Sequence, residues 1–538
     1  KRNLFLQITS WQPCSNEIND INKVGGMKMK KSLLIHFVGM IFLIYLQSAT
    51  ATEIIVSNST ELQNAINNVQ GGDTISLLSG NYGTLTINGK NNTSFVTIRA
   101  YPGAVPLFSS VSFHNSSYWK LWGVDIKPRY TSGADGTEAV DLDGSYLNVE
   151  NCNINYADDI SGWTATDWVE RTGNGIIMDG SNITAFNNTI TAIDHGIACS
   201  ANNSLVSHNL IVNFRGDGIR GLGDDDVYEY NTIKNEYDVD ENHDDGFQSW
   251  SYGSGGVGTG TVKNVTLRGN TIINFEDPNQ PYRGNLQGIG LFDGMFENWI
   301  VENNLIITDH WHGISFYGAI NCKIINNTVV DNDLTPSPDP WIMVNNHKNG
   351  TPSSGVIVRN NIATDYSLTG GYTADHNIEI TMNNASTYFV NPSGGNGDYR
   401  LNVTSPAIDA GNGDSAPGID KDGVVRPQGN NFDIGCYEFT DASEVTESNN
   451  PESFHLFQNY PNPFNPGTII QYEIASRQYV TLKVYDVLGN ELATLVNENK
   501  AAGIYKVNFN ASHLPSGMYI YKILSDNFSD VKKMLLLK

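Results

Sequence analysis

Apolar and polar positions along this chain recur in step rather than in blocks. From residue 174 a small apolar unit returns as Gly175-Ile176, Gly196-Ile197, Gly218-Ile219, Gly246-Phe247, Gly288-Ile289 and Gly313-Ile314. A second file follows at a similar distance, Asn188, Asn209, Asn231, Asn270, Asn304 and Asn327, each ahead of Thr or Leu and then Ile or Val. The gaps between these asparagines are 21, 22, 39, 34 and 23 residues, so the base period is about 22, with insertions near 251–260 and 275–286. Short alternating runs bounded by Gly, Asn and Ser predict strands. A period this short does not fit a propeller blade, and no leucine-rich consensus is present. Parallel coils stacked about 4.8 Å apart satisfy it. The expected fold is therefore all-β, a right-handed parallel β-helix, with in-register asparagines forming an internal ladder of amide hydrogen bonds.

The flanks divide the chain further. Residues 1–26 have no clear role. Met27 to Ala51 has a Lys-rich start, an apolar run and small residues at Ala49 and Ala51, the pattern of a secretory signal peptide cleaved after Ala51. The β-helix is expected over 52–440, opened by an amphipathic helical turn around Leu62, Ala65 and Ile66 that plugs the end of the solenoid. An acidic, polar linker spans 441–451, and an alternating pattern over 452–538 predicts a small β-sandwich.

Two strings carry family resemblances. GGDTISLLSGNY, near residue 71, resembles the opening of secreted β-helix carbohydrate enzymes, including polysaccharide lyase family six and chondroitinase B. Tyr460-Pro461-Asn462-Pro463-Phe464-Asn465-Pro466, Val484-Tyr485-Asp486, Gly517-Met518-Tyr519 and Lys532-Lys533 resemble the C-terminal sorting domain of the type IX secretion system. That resemblance implies export to the cell surface or beyond, with the type IX machinery as a partner and no membrane span left after processing. A monomer is expected.

Charge narrows the partners. A net charge of −25 excludes nucleic acid, which needs a basic face. An acidic polysaccharide must then meet a local basic patch. Of the five cysteines, Cys14 precedes the mature start and the other four are scattered, so neither a disulfide framework nor a thiolate metal site is expected. Calcium is the one cation considered, at the acidic turn Gly223-Asp224-Asp225-Asp226 or bridging to a uronate.

Strand alternation locates the chemistry. With each Ile of the Gly-Ile file pointing inward, the outward files are Ala198, Arg220, Gln248, Gly290, Ser315 and, two residues on, Ser200, Leu222, Trp250, Phe292, Tyr317. Trp250, Phe292 and Tyr317 form an expected platform for the apolar faces of sugar rings. At the turn ahead of these strands sit His195, Asp217, Asp245, Gln287 and His312, flanked by Arg215, His243, Asp244, Asp309 and His310. Cleavage of a uronate polymer by β-elimination needs a cation for the carboxylate, a base for the C5 proton and an acid for the departing oxygen. Arg215 and Arg220 suit the first task, His243, His312 or Lys234 the second, and Tyr317 either transfer, with Asp245 also catalytic. Gln248, Asp217, Asp244, His310 and Arg283 join Trp250 and Phe292 as substrate-binding residues.

Neighbouring activities stay open. Asp245-Gly246-Phe247 and His312-Gly313-Ile314 resemble motifs of alginate C5-epimerases, although the Asp-Pro-His triplet is absent. The Asn-Gly-x-Glu-x-Ile-Arg string of lyase family six is also absent. Asp217, Asp244 and Asp245 would serve an inverting glycosidase resembling polygalacturonases, and a non-catalytic adhesin would bind without cleavage. The reading reached from sequence is a secreted lyase acting on an alginate-like, uronate-containing polysaccharide.

Overall fold

A computed structural model describes residues 51–332 and 339–440, and most of 454–536. The expected linker and all but the last residue of the expected signal peptide lie outside the described residues.

Residues 53–379 wind into parallel coils. The coils build three faces, and apart from the antiparallel hairpin of Tyr252–Gly253 and Gly256–Val257 their strands pair in parallel with counterparts one coil away. The first face carries the site. Its strands are β1 (Asn174–Ser181), β2 (Ile197–Cys199), β3 (Ile219–Gly221), β4 (Asp245–Trp250), β5 (Gln287–Asp293), β6 (His312–Tyr317) and β7 (Trp341–Asn345). Their register aligns Ile176, Ile197, Ile219, Phe247, Ile289, Ile314 and Ile342 in one buried file, as the Gly-Ile repeat requires.

The glycine ahead of that file is set by space. A Cβ at Gly175, Gly196 or Gly288 would lie 2.2–2.3 Å from the next coil's glycine carbonyl and 2.8 Å from a buried isoleucine Cγ2 of the third face. Neither neighbour can withdraw, because one is ladder backbone and the other is core. At this corner two faces meet too closely for any side chain.

The asparagine ladder runs through the opposite corner. In each rung Oδ1 accepts from the backbone N–H of the asparagine one coil earlier at 2.9–3.0 Å. The same oxygen also accepts from that residue's Nδ2 at 2.9–3.0 Å. Six rungs were legible in the repeat; the ladder goes on through Asn361 to Asn377.

Both ends are covered. The helix α1 (Ser59–Asn68), capped by Asn58 accepting from Glu61 N–H at 3.0 Å, buries Leu62, Ala65 and Ile66 against the first coils. The closing segment folds along the third face. There Ile273, Ile307 and Val330 point outward and pack with Ile380, Phe389, Tyr399, Leu401 and Ile434 in a second core. The apolar outward file of that face is thus buried, not a surface. Beyond it, a three-stranded and a four-stranded antiparallel sheet enclose Leu456, Ile470, Tyr472, Leu482 and Tyr521, which is the expected β-sandwich. Cys152, Cys199, Cys322 and Cys436 are buried free thiols.

Replacing one rung tests the ladder. Asn231→Ala removes the acceptor for Asn209 N–H and the donors to Val206 O and Asn270 Oδ1. The stranded groups should cost about 2–5 kcal/mol, read as a lower denaturant midpoint of the mature chain.

Candidate functional site

Three adjacent strands and three turns converge on the outer side of the first face. Strand β4 supplies Asp245 and Gln248, β5 supplies Gln287, Phe292 and Asp293, and β6 supplies His312 and Tyr317. His243 comes from the turn before β4, His310 and Trp311 from the turn before β6, and Lys348 from the turn after β7. Together they line an open cleft of about 420 Å³.

The cleft has two walls that differ in chemistry. At the carboxyl ends of the strands stand the aromatics. A bulge between Ser249 and Trp250 shifts the register so that Trp250 lies opposite Asp293 instead of Phe292. The platform therefore splits: Phe292 and Tyr317 pack with centroids 5.9 Å apart and line the cleft, whereas Trp250 is not in its lining. Each part carries a cation. The Arg220 guanidinium lies 5.7 Å from the Trp250 ring centre, and Lys348 Nζ lies 6.0 Å from Phe292 and 5.7 Å from Tyr317. Arg220 is anchored through Nε alone, to Asp217 Oδ2 at 2.5 Å, and Lys348 is paired with Asp293 at 2.9 Å.

At the other wall sit buried carboxyls and neutral histidines. Asp217 and Asp245 are neighbours on successive coils, Asp217 Oδ1 accepting from Asp245 N–H at 2.9 Å. Burial pushes both carboxyls upward. Asp217 is offset by Arg220, whereas Asp245 is raised further by Asp217 itself, so Asp245 is the carboxyl held higher of the two. Its Oδ2 accepts from Gln248 Nε2 at 2.7 Å, and its Oδ1 has no protein partner. That oxygen lies over Gly290: a Cβ there would sit 2.2 Å from it and 2.4 Å from the Phe292 ring edge. Glycine at this position is what leaves room for both the buried carboxyl and the ring.

The hydrogen bonds fix the histidine tautomers. His312 Nδ1 accepts from Trp341 Nε1 at 3.3 Å and is 2.8 Å from Ser315 Oγ. An indole N–H only donates, so Nδ1 is an acceptor and the ring's proton sits on Nε2. His310 Nδ1 accepts from His312 N–H at 3.0 Å, with the same result. Burial lowers His310 to about 4 and His312 to about 3. His312, expected as a base, is instead a neutral hydrogen-bond donor whose lone pair is occupied.

Several expected residues lie elsewhere. Arg215 is buried and bonds Thr172 Oγ1, Asp135, Asp194 and Asp240 at 2.8–3.0 Å. A guanidinium saturated by three carboxylates cannot also clamp a substrate; it ties the loop of residues 238–244, and so His243, to the coil. Lys234 points from the third face and pairs with Glu276 at 2.9 Å, away from the cleft. Arg283 lies over the Phe275 ring at 4.4 Å and donates to Pro278 O, outside the cleft lining. Asp244 is buried beside Asn242, 2.7 Å away, and faces Glu236; burial raises it to about 7. At the acidic turn, Asp224 accepts from Lys263 N–H, Asp225 from Asn264 Nδ2, and Asp226 turns inward to Ser204 N–H. Those carboxylates diverge, which does not fit a calcium ion, and among the described residues no cluster of three His, Cys, Asp or Glu has metal-holding geometry. Lys348 and Trp311 were missed. Lys348 follows a turn with no repeat signal, whereas an exposed aromatic in the His310-Trp311-His312 string was open to notice.

Comparison with known proteins follows the two parts of the chain. Residues 458–537 match the secretion system C-terminal sorting domain. The chain is a secreted or cell-surface protein. Among the described residues no helix is long and apolar enough to cross a membrane. No curated protein sequence matches the chain. Solved structures similar to the coil include pectate lyase Pel9A, at 14% identity over 73% of this chain and 97% of that one, with a TM-score of 0.41. The PL6 family alginate lyase AlyGC shows 13% identity over 61% and 53% with a TM-score of 0.29. The polygalacturonase from Erwinia carotovora ssp. carotovora shows 12% over 62% and 98% with a TM-score of 0.32. At these values the likeness concerns the coil and not the chemistry.

Two outcomes are expected from this geometry. Gly290→Ala should press on both Asp245 and Phe292, costing about 1–3 kcal/mol of stability and at least about tenfold in substrate binding or turnover, measured on the same preparation. The histidines give a pH signature. Between about 6.5 and 4 the unfolded chain binds protons on His310 and His312 that the folded chain refuses, so their contribution to stability is full above 6.5 and falls with acidification. A His310→Gln, His312→Gln double variant should therefore lose less stability than the native chain between pH 7 and 4.5, followed by urea unfolding at each pH.

Proposed function

We propose that this chain is a secreted lyase that cleaves a uronate-containing polysaccharide by β-elimination. One observation carries the reading: in a chain of net charge −25, Lys348 stands over Phe292 and Tyr317, which line the cleft, and Arg220 over Trp250 on the neighbouring coil. Aromatic faces suit the C–H faces of a sugar ring, and two cations above them suit a sugar that bears a carboxylate. Neutralising that carboxylate acidifies the C5 proton. His243 and Tyr317 are the cleft groups left to take it, since His312 Nδ1 is occupied. Asp245, which borders the cleft and whose buried Oδ1 has no protein partner, supplies the proton to the departing glycosidic oxygen. Gln248 holds its other oxygen, and Arg220 is paired with Asp217 beside it.

Inverting hydrolysis is the second reading, favoured by the same buried carboxyl pair, since a protonated Asp245 is equally a general acid for water attack. An epimerase would share the proton abstraction without cleavage.

Incubation of the mature protein with a panel of acidic and neutral polysaccharides separates these activities. Rising ultraviolet absorbance of an unsaturated uronate supports elimination; new reducing ends without it mean hydrolysis; neither signal overturns cleavage and leaves epimerisation or adhesion. Arg220→Ala should reduce turnover by about two orders of magnitude, with His243→Ala and Tyr317→Phe identifying the base by which of them abolishes it. Full activity in all three variants would move the site elsewhere.

A further inference from the structure

The cleft is longer than the reacting centre. Loops rise on both margins of the first face: the hairpin formed by Tyr252–Gly253 and Gly256–Val257 and the turn bearing Lys348 on one side, the turns bearing His243 and Trp311 on the other. A trough bounded on both edges of a sheet runs along the coil axis. Gln248 lines it, and Arg220, Gly290 and Ser315 hold the same register position on neighbouring coils about 4.8 Å apart, with Gly290 and Ser315 covered. That step is comparable with one pyranose residue of an extended polymer.

Trp311 sits on this trough one coil beyond Phe292, in the same coil as Tyr317. It lines the cleft and is 44% exposed, more than Phe292 and Tyr317 beside it or Trp341 beneath it. Its orientation is fixed from beneath. One face leans on Trp341 at 6.3 Å and 25°, His310 and His312 meet it edge to face, and its carbonyl accepts from Trp341 N–H at 2.8 Å and Gly313 N–H at 3.0 Å. Trp341 is in turn held by Ser315 Oγ at 3.0 Å. An exposed indole packed against Trp341 and a histidine pair has already lost rotamer freedom, and stacking a ring on it costs little further entropy.

From these contacts we infer that Trp311 is a separate sugar-stacking subsite, gripping a pyranose of the bound polymer next to the one that reacts. The inference rests on the reading of the cleft as a polysaccharide site and extends it: the enzyme holds an internal stretch of chain, so that affinity grows with polymer length. The subsite recognises a ring face and is indifferent to the carboxylate, which Arg220 and Lys348 recognise.

Affinity electrophoresis of the mature chain in gels containing alginate, polygalacturonate or a neutral glucan tests it, using W311A, W311F and W122A. Trp122 is 40% exposed on the second face and serves as the control. W311A should lose about five- to tenfold in affinity for the polymer that retards the native chain, W311F should keep most of it, and W122A should match the native chain. On that polymer the KM of W311A should rise by a similar factor, with a smaller change in kcat. Equal retardation of W311A and native chain overturns the subsite. A tryptophan-dependent retardation seen only in neutral glucan keeps the subsite and overturns the uronate reading, and no retardation of the native chain in any gel overturns both.

Discussion

Everything in this molecule depends on coils stacking in register, one strand on its counterpart about 4.8 Å away. That register is held at two corners by opposite means. At one, eight asparagines from Asn188 to Asn377 pass hydrogen bonds from coil to coil, so that each turn's backbone polar groups are satisfied by the next. At the other, glycines let the first and third faces close to within contact of an isoleucine methyl. A slip of one residue would break both together, which is why the outward files are reliable enough to build a site on.

The site exploits this regularity and then departs from it. Arg220, Gln248, Gly290 and Ser315 occupy one outward position on successive strands, yet only glycine leaves room for the Asp245 carboxyl to lie over the floor against Phe292. The bulge at Ser249 and Trp250 moves one aromatic out of the file. Arg220 reaches over that ring, and Lys348, from a turn two strands on, covers the other two. Buried acids on one wall and cations over aromatics on the other are the two chemistries from which the proposed function is built.

Arg215 and Lys234 show how far side-chain type misleads without packing. Both looked like free cations near the right coil. One is consumed by Asp135, Asp194 and Asp240 in holding a loop, and the other is paired with Glu276 on a different face. His312 reached the cleft as expected, but its neighbours Trp341 and Ser315 decide which nitrogen carries the proton, and so turn an expected base into a donor.

The amino-acid sequence by itself determined the coil: its period, the inward isoleucines, the asparagine rungs, the two insertions and the sorting domain are all statements about repetition, and repetition is visible along one dimension. Asp245, Gln248, Phe292 and Tyr317 were legible because they sit at fixed offsets from the repeat. What only the tertiary structure decided lies where the repeat is interrupted. The bulge, the loop that Arg215 ties down, the turn that delivers Lys348 and the tryptophan pair at Trp311 and Trp341 depend on contacts between segments with no common spacing, and the energy of a buried charge or a stacked ring is set by those neighbours rather than by position in the chain.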